Sequence, residues 1–175
     1  MPDETDFTPK EVTELIRLLE KVAAAGYRWP TEKCMRAGHE VVSYWAPEIV
    51  ITRPRNIHAR EILLAIYEGG IEEFRGMWHI PGGYNIWDEI SVQETCDRVA
   101  LREIGVSAKL LRVIDAYKWR EGEHPYGRPL SLYCLCEPQT PVRESDKLRF
   151  FPETALPKRL VEPHRRFIEQ HLCRL

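Results

Sequence analysis

The chain has 175 residues, of which 43% are apolar, enough for one buried core but too few for a second full domain. Its formal net charge of −2 and pI of about 6.3 exclude the broad basic surface that holds a nucleic-acid polymer. No apolar run approaches the roughly 20 residues that span a bilayer. We therefore expect neither a nucleic-acid polymer nor a membrane as a partner.

The five cysteines are an odd number and lack the paired spacing of a zinc site. The first residues, MPDETDFTPK, lack the basic and apolar regions of a secretory signal. Together these features predict reduced thiols and a cytoplasmic location. Cys134 and Cys136 lie two apart in a predicted strand, so they share a face, and we expect them to pack in the core rather than bind metal.

A capping pattern opens the first predicted helix, with Thr8 at the N-cap, Pro9 at N1 and Glu11 at N3. An amphipathic helix over about 9–25 follows, and a glycine stops it. Its apolar stripe needs cover, and we expect its own domain to supply it; the alternative is a second copy of the chain, hence a homodimer. We assign residues 1–35 to an N-terminal helical extension.

The rest of the chain alternates short apolar runs with helical patterns. β-Branched and apolar runs bounded by Gly, Pro or polar loops predict strands within residues 48–53, 61–69, 75–83, 108–121, 129–138 and 147–152. Helical patterns cover about 91–104 and 161–175. Strands interleaved with helices predict an α/β domain with a mixed β-sheet over residues 36–175.

The helix over 91–104 ends in a carboxylate on its apolar face. Val92, Cys96, Val99 and Ala100 form that face, and Glu103 continues it at helical spacing. A carboxylate at the rim of a core needs an ion pair, hydrogen bonds or a cation. Two interpretations stay open at this point, an internal ion pair with an arginine and a bound metal ion.

The turn before this helix favours the metal ion. Gly82 and Gly83 follow a predicted strand, permit backbone conformations closed to other residues, and allow close approach of a ligand. Backbone oxygens from this turn and the Glu103 carboxylate could then converge on one point. Oxygen ligands suit a hard cation, Mg²⁺ or Mn²⁺, whose other positions go to water and phosphate.

This stretch resembles the Nudix hydrolases, whose signature is G-x5-E-x7-R-E-U-x-E-E-x-G-U with U an aliphatic residue. Gly83 and Glu89 match its first part, and Trp78 to Gly82 match the usual W-x-I-P-G lead-in. Arg98 matches the signature arginine if one extra residue is allowed, and Glu103 belongs to its close. The resemblance implies a Nudix-type α/β/α sandwich and a Glu89–Arg98 pair that braces the loop against the helix.

Two of the signature's glutamates are replaced, by Val99 and Arg102. GDP-mannose mannosyl hydrolases, one branch of the family, have a similar layout, bind one Mg²⁺ and attack the sugar carbon. Resemblance to that branch implies a metal site made of the Gly82 carbonyl, Glu103 and Glu144. Glu144 is included because the branch has a metal ligand at that place before the final strand.

Candidates for the remaining roles are less constrained. In that branch a histidine acts as the general base, and its position here is taken by Ser145, a poor base. His124 in the loop EGEHPYGR is the nearest alternative by residue type, although loop histidines are often simply solvated. His79, beside the glycine turn, is a candidate for substrate contact. Four further candidates for substrate binding lie in DAYKWREGEHPYGR, with core packing and a solvated edge as the alternatives: Tyr117, Trp119, Arg120 and Arg128.

Two functional hypotheses follow. The leading one is a Nudix-type hydrolase that uses Mg²⁺ or Mn²⁺ to cleave a nucleoside diphosphate linked to another group, such as a nucleotide sugar. The alternative is a Nudix-fold module that binds a small nucleotide for regulation without catalysis. Arg102 motivates the second hypothesis, because its positive charge could fill the metal space.

Overall fold

The computed structural model describes residues 8–24, 34, 38, 44–56, 59–86 and 89–172. Its elements are the helices α1 (Pro9–Ala24), α2 (Val92–Glu103) and α3 (Glu162–His171) and the strands β1 (Trp45–Val50), β2 (Thr52–Asn56), β3 (Ala59–Ile66), β4 (Trp78–His79), β5 (Ala108–Lys118), β6 (Leu130–Pro138) and β7 (Leu148–Pro152). The run over 48–53 is divided between β1 and β2, and β4 is shorter than predicted. The domain boundary at residue 35 stays a prediction.

The described strands form two sheets in a mixed α/β arrangement, and the α/β class is as predicted, although the sequence pattern predicted one mixed sheet. The first has the order β1-β6-β5, with β1 parallel and β5 antiparallel to β6. In the second, β3 pairs antiparallel with β2, β4 and β7. The Ile49 N–H donates to the Pro81 carbonyl at 2.7 Å, and Glu48 forms an isolated bridge with Gly82. The edge of β1 therefore lies directly against the turn that follows β4.

Alternate residues of the central strands point into two separate cores. Ile49 and Leu63 pack in the core beneath α2, whereas Val50 and Leu64, their neighbours in sequence, pack in the core beneath α3. Because successive strand side chains point to opposite faces, the two helices cover opposite sides of the strands. The predicted α/β/α layering is confirmed.

The N-terminal helix has the predicted cap but not the predicted cover. The Thr8 N–H donates to Glu11 Oε2 at 2.7 Å, and the Glu11 N–H donates to Thr8 Oγ1 at 3.3 Å, which is the reciprocal capping pattern. On its apolar stripe, however, Leu15 and Leu19 are 49% and 51% exposed. The expectation that the parent domain covers this stripe is wrong for the described residues, because an amphipathic pattern identifies a face but not what packs on it.

Helix α2 is fixed at both ends by local interactions. Ser91 is its N-cap, and the Ser91 Oγ accepts from the Glu94 N–H at 3.2 Å. After the helix, Gly105 has a positive φ of 79°, a conformation in which glycine commonly ends a helix. The buried face of α2 packs its Cys96 in the same core as Cys134 and Cys136, so the predicted core packing of those cysteines is confirmed.

Within the described residues, none of the helices is both long and apolar enough to cross a bilayer.

Candidate functional site

Glu89 and Arg98 join the loop after β4 to helix α2. The Arg98 Nε donates to Glu89 Oε1 at 2.5 Å, and its Nη2 donates to Glu89 Oε2 at 3.1 Å and to the Tyr84 carbonyl at 2.7 Å. The Ile86 N–H and the Thr95 hydroxyl also donate to Glu89. Burial acts to raise the pKa of Glu89, but these hydrogen bonds outweigh it and hold the pKa below its usual value. The predicted pairing is present and fixes the loop on the helix.

Both glycines of the turn allow another part of the chain to approach closely. A Cβ at Gly82 would overlap the Glu48 carboxylate and lie 3.2 Å from the Pro47 carbonyl oxygen. A Cβ at Gly83 would lie 2.5 Å from Arg102 Nη2. Neither glycine is among those with positive φ, so the expectation of a backbone conformation closed to other residues is wrong here. The missing side chains instead make room for a carboxylate on one side and a guanidinium on the other.

Arg102 bridges two of the three groups predicted to bind metal. Its Nε donates to Glu103 Oε1 at 2.7 Å, and its Nη2 donates to the Gly82 carbonyl oxygen at 3.2 Å. The carbonyl and the carboxylate therefore do converge, as expected, but on a guanidinium of their own chain. The arginine ion pair that remained open for Glu103 in the sequence is present.

In this arrangement the three groups predicted to bind metal do not offer open positions to a divalent cation. Mg²⁺ requires oxygen ligands at about 2.1 Å in near-octahedral geometry, and the two oxygens here already accept hydrogen bonds from Arg102. Glu144, the predicted third ligand, accepts from Arg53 Nη1 at 2.8 Å and from the Phe150 N–H at 3.1 Å. Across the described part of the chain, no group of three or more His, Cys, Asp or Glu side chains could hold a metal ion.

A cavity of about 960 Å³ opens beside this bridge. Its lining brings together the glycine turn, the end of α2 and the loop after β5. Four cationic side chains contribute to it, Arg98, Arg102, Arg143 and Lys147. Aromatic side chains form another part of the wall, among them Tyr67, Phe74, Tyr84 and Trp119. The cavity can therefore receive an anionic group and a ring in one ligand.

A buried carboxylate, Glu48 on β1, also lines the cavity and is 6% exposed. Its Oε1 accepts from the Ser131 hydroxyl at 2.7 Å, and the Ser131 Oγ accepts from Trp119 Nε1 at 2.8 Å. Its Oε2 lies 3.7 Å from His164 Nε2, beyond hydrogen-bond distance. Glu48 is thus held on one side by two consecutive hydrogen bonds, from Trp119 to Ser131 and from Ser131 to Glu48, and it faces His164 on the other side.

Two histidines that are candidates for site residues, His79 and His124, lie in the cavity wall. His79 is 5% exposed, and burial, with a smaller contribution from His164, lowers its pKa to about 3, so its imidazole is neutral. His124 is 8% exposed, and its Nδ1 accepts from the Tyr126 N–H at 3.0 Å, so it is not the solvated loop side chain that we considered. Its position 3.3 Å from the Tyr84 hydroxyl places it at the cavity. Their catalytic and substrate-binding roles stay predictions.

The other sequence candidates divide between the cavity and its surroundings. Trp119 lines the cavity and is 4% exposed. The Tyr117 hydroxyl instead donates to Glu123 at 2.6 Å. Arg166 on α3 also donates to Glu123, so this carboxylate joins the loop after β5 to α3. Arg120 and Arg128 are exposed and, like Glu144, are not among the described residues that line the cavity.

Sequence reasoning missed Glu48, Ser131 and His164. Glu48 interrupts the apolar run APEIVI, and burial of a carboxylate there is costly enough to have marked it as a site residue. His164 has a similar signal, because it shares helical spacing with Phe167 and Ile168 on the apolar face of α3. Ser131 carries no comparable signal in the sequence.

Known proteins share this architecture. An ADP-ribose pyrophosphatase from Streptococcus suis superposes with a TM-score of 0.51 and 20% identity over 75% of this chain and 89% of that one. A MutT NUDIX hydrolase from Burkholderia pseudomallei gives 0.55 and 24% over 74% and 98%. The NUDIX domain of Shewanella oneidensis NrtR, solved with ADP ribose, gives 0.57 and 17% over 82% and 98%.

At these identities the structural matches show a common fold. No curated protein matches the chain. A sequence profile described as the NUDIX domain matches residues 48–171, from the buried carboxylate of β1 to the end of α3. The braced loop, the glycine turn and the profile agree, and the chain belongs to the NUDIX domain family.

Proposed function

We propose that this protein binds a nucleoside diphosphate linked to another group without a divalent metal, and that Arg102 provides the positive charge for the diphosphate. One observation carries the proposal: the Arg102 guanidinium lies between the Gly82 carbonyl and the Glu103 carboxylate. A guanidinium has five N–H donors in a planar fork that suits phosphate oxygens, and these contacts use two of them. The others are available to a ligand in the cavity.

The composition of the cavity supports this ligand class. Its volume of about 960 Å³ is at the upper end of the range for small-molecule sites, about 300–1,000 Å³. Arg143 and Lys147 add cationic groups to Arg102, and Phe74 and Trp119 offer aromatic surface to a base or a sugar. The ADP ribose bound by the NrtR NUDIX domain has these chemical parts, so ADP-ribose is a reasonable first probe.

A second candidate is hydrolysis of such a ligand with Mg²⁺ or Mn²⁺, including cleavage of a nucleotide sugar. The convergence of the Gly82 carbonyl and Glu103 favours it, since Arg102 is 53% exposed and movement of this side chain would uncover both oxygens. The fold is also that of an ADP-ribose pyrophosphatase. Under this alternative, Glu144 would have to leave Arg53 to join the metal, and His124 is the candidate base.

Calorimetry with ADP-ribose, ADP and GDP-mannose, in EDTA and in Mg²⁺, separates the two candidates. We expect at least one ligand to bind equally well in both buffers, and Arg102→Ala to weaken it about 10- to 100-fold by removing a charge-assisted contact. Arg112→Ala is the matched control, because Arg112 is exposed on β5 and is not among the residues of the cavity lining.

Chromatography of the same mixtures detects products. Binding that strictly requires Mg²⁺ or Mn²⁺, accompanied by turnover that Glu103→Gln abolishes, would overturn the proposal and establish the hydrolase. Absence of binding for all three ligands in both buffers would contradict both candidates.

A further inference from the structure

We propose that Glu48 and His164 form a subsite for a hydroxyl group, and that this subsite takes the sugar joined to the diphosphate. The inference rests on the proposed function for the position of the phosphate. It concerns residues with no counterpart in the signature through which the chain resembles its family. Glu48 and His164 each leave a buried hydrogen-bonding atom unused.

Glu48 has one oxygen committed and one available. Its Oε1 accepts from Ser131, which is itself held by Trp119. For its Oε2, no hydrogen bond to any described residue is present, and Gly82 lies beside it without a side chain. A carboxylate that is 6% exposed is costly unless its oxygens receive hydrogen bonds. Glu48 therefore presents an acceptor that a donor on a ligand would satisfy.

His164 presents the complementary donor. The Ile80 N–H donates to its Nδ1 at 2.9 Å, so in the neutral imidazole that nitrogen is the acceptor and the proton lies on Nε2. His164 is 4% exposed, and among the described residues its Nε2 has no hydrogen-bond partner. The backbone of β4 thus fixes the tautomer and leaves a buried N–H donor without an acceptor.

The distance between the acceptor and the donor selects a hydroxyl. Glu48 Oε2 and His164 Nε2 lie 3.7 Å apart. One oxygen at about 2.8 Å from each closes a triangle on that base, so a single group can serve both. A hydroxyl donates to the carboxylate and accepts from the imidazole at once. A carbonyl would be repelled by Glu48, and an ammonium group would offer nothing to the His164 N–H.

The subsite lies next to the phosphate position. Gly82 contacts both, since its carbonyl accepts from Arg102 and its α-carbon lies against the Glu48 carboxylate. A ligand with its phosphate at Arg102 therefore has the next covalently attached group near Glu48. The aromatic walls suit a sugar, with the Trp119 ring centroid 5.9 Å from that of His164.

A pair of ligands with equal charge tests the subsite. ADP-ribose carries a sugar on its second phosphate, whereas the β-methyl ester of ADP keeps the diphosphate charge and lacks that sugar. We expect the protein to bind ADP-ribose about tenfold more tightly in calorimetry, because the hydroxyl contact involves a charged, buried acceptor. In Glu48→Gln, ADP-ribose binding should fall to the level of the methyl ester, and methyl ester binding should stay the same.

Glu137→Gln is the control for the loss of a carboxylate, because Glu137 is exposed on β6 and is not among the described residues that line the cavity. It should leave both affinities unchanged. Should Glu48→Gln fail to fold by circular dichroism, Ser131→Ala carries the test, since it removes the hydrogen bond that orients Glu48, and it should weaken ADP-ribose severalfold and spare the methyl ester.

The outcomes distinguish this inference from the proposal on which it rests. If the methyl ester binds and ADP-ribose binds no better, or if Glu48→Gln weakens both equally, the subsite holds water rather than a sugar and the inference is wrong. If neither ligand binds the parent protein, the proposed function fails and the inference fails with it.

Discussion

Arg98 and Arg102 lie one turn apart on α2, and each binds a glutamate, but in different surroundings. The Glu89 side chain that pairs with Arg98 is 8% exposed, and Arg98 itself is 28% exposed. Glu103 and Arg102 are 26% and 53% exposed. The first pair joins the loop after β4 to the helix, whereas the second joins two adjacent residues of the helix and reaches the Gly82 carbonyl.

The difference shows what an arginine contributes in each place. Arg98 is surrounded by fixed partners on the loop, so its charge holds structure in position. Arg102 lines the cavity, as Arg98 does, but it is 53% exposed and makes two hydrogen bonds where Arg98 makes three, so its charge remains available to a ligand. Exposed ion pairs contribute about 0–1 kcal/mol to stability, and removal of one partner of a buried pair costs about 3–5 kcal/mol. Stability measurements should therefore separate the two arginines clearly.

The largest effect is expected from Arg98→Ala. It leaves the Glu89 carboxylate buried without its cation and frees the loop from the helix, so the free energy of unfolding should fall by about 3 kcal/mol, at the low end because Arg98 is partly exposed. Urea denaturation measures this change. Arg102→Ala is the matched control and should cost less than about 1 kcal/mol.

Equal losses from the two substitutions would contradict the comparison, because Arg102 would then be structural as well. A small loss from both would show that the Glu89 pair does not fix the loop. In either case the different burial of the two pairs would not determine their roles.

The two glycines of the turn sharpen the same comparison with a smaller effect. Gly82→Ala places a methyl group against Glu48, which Ser131 anchors, and near the Pro47 carbonyl, so overpacking should cost about 2 kcal/mol. Gly83→Ala meets only the end of the flexible Arg102 side chain and should cost less than about 1 kcal/mol. Thermal unfolding of the two variants, compared with the parent, measures the difference, and a reversed order would contradict the geometry described for the turn.

Local patterns predicted much of the fold. The capping pattern of Thr8 and Glu11 predicted the start of α1, and the apolar periodicity over residues 91–104 predicted α2, because both signals are encoded within a few neighbouring residues. The Glu89–Arg98 pair was also predictable, through resemblance to a signature that Arg98 matches once one extra residue is allowed. The apolar stripe of α1 was predicted correctly as a pattern, but its exposure was not, since a pattern does not name the surface that covers it.

The site was predicted less completely because its contacts are long-range. Ser131 and Glu48 are 83 residues apart in sequence, and His164 and Ile80 are 84 apart. Only the pairing of β1 with β6 and the packing of α3 bring them together. Arg102 was recognised as a replacement for a signature glutamate, whereas its contact with the Gly82 carbonyl depends on how close the turn lies to the helix.

Manganese binding tests the central claim, that Arg102 takes the place of a metal ion. Electron paramagnetic resonance counts free Mn²⁺ during titration of the parent protein and of Arg102→Glu, which restores a carboxylate at that position. We predict that the parent binds no Mn²⁺ at micromolar concentrations and that Arg102→Glu gains a site dependent on Glu103. Tight Mn²⁺ binding by the parent protein, lost in Glu103→Gln, would contradict the account.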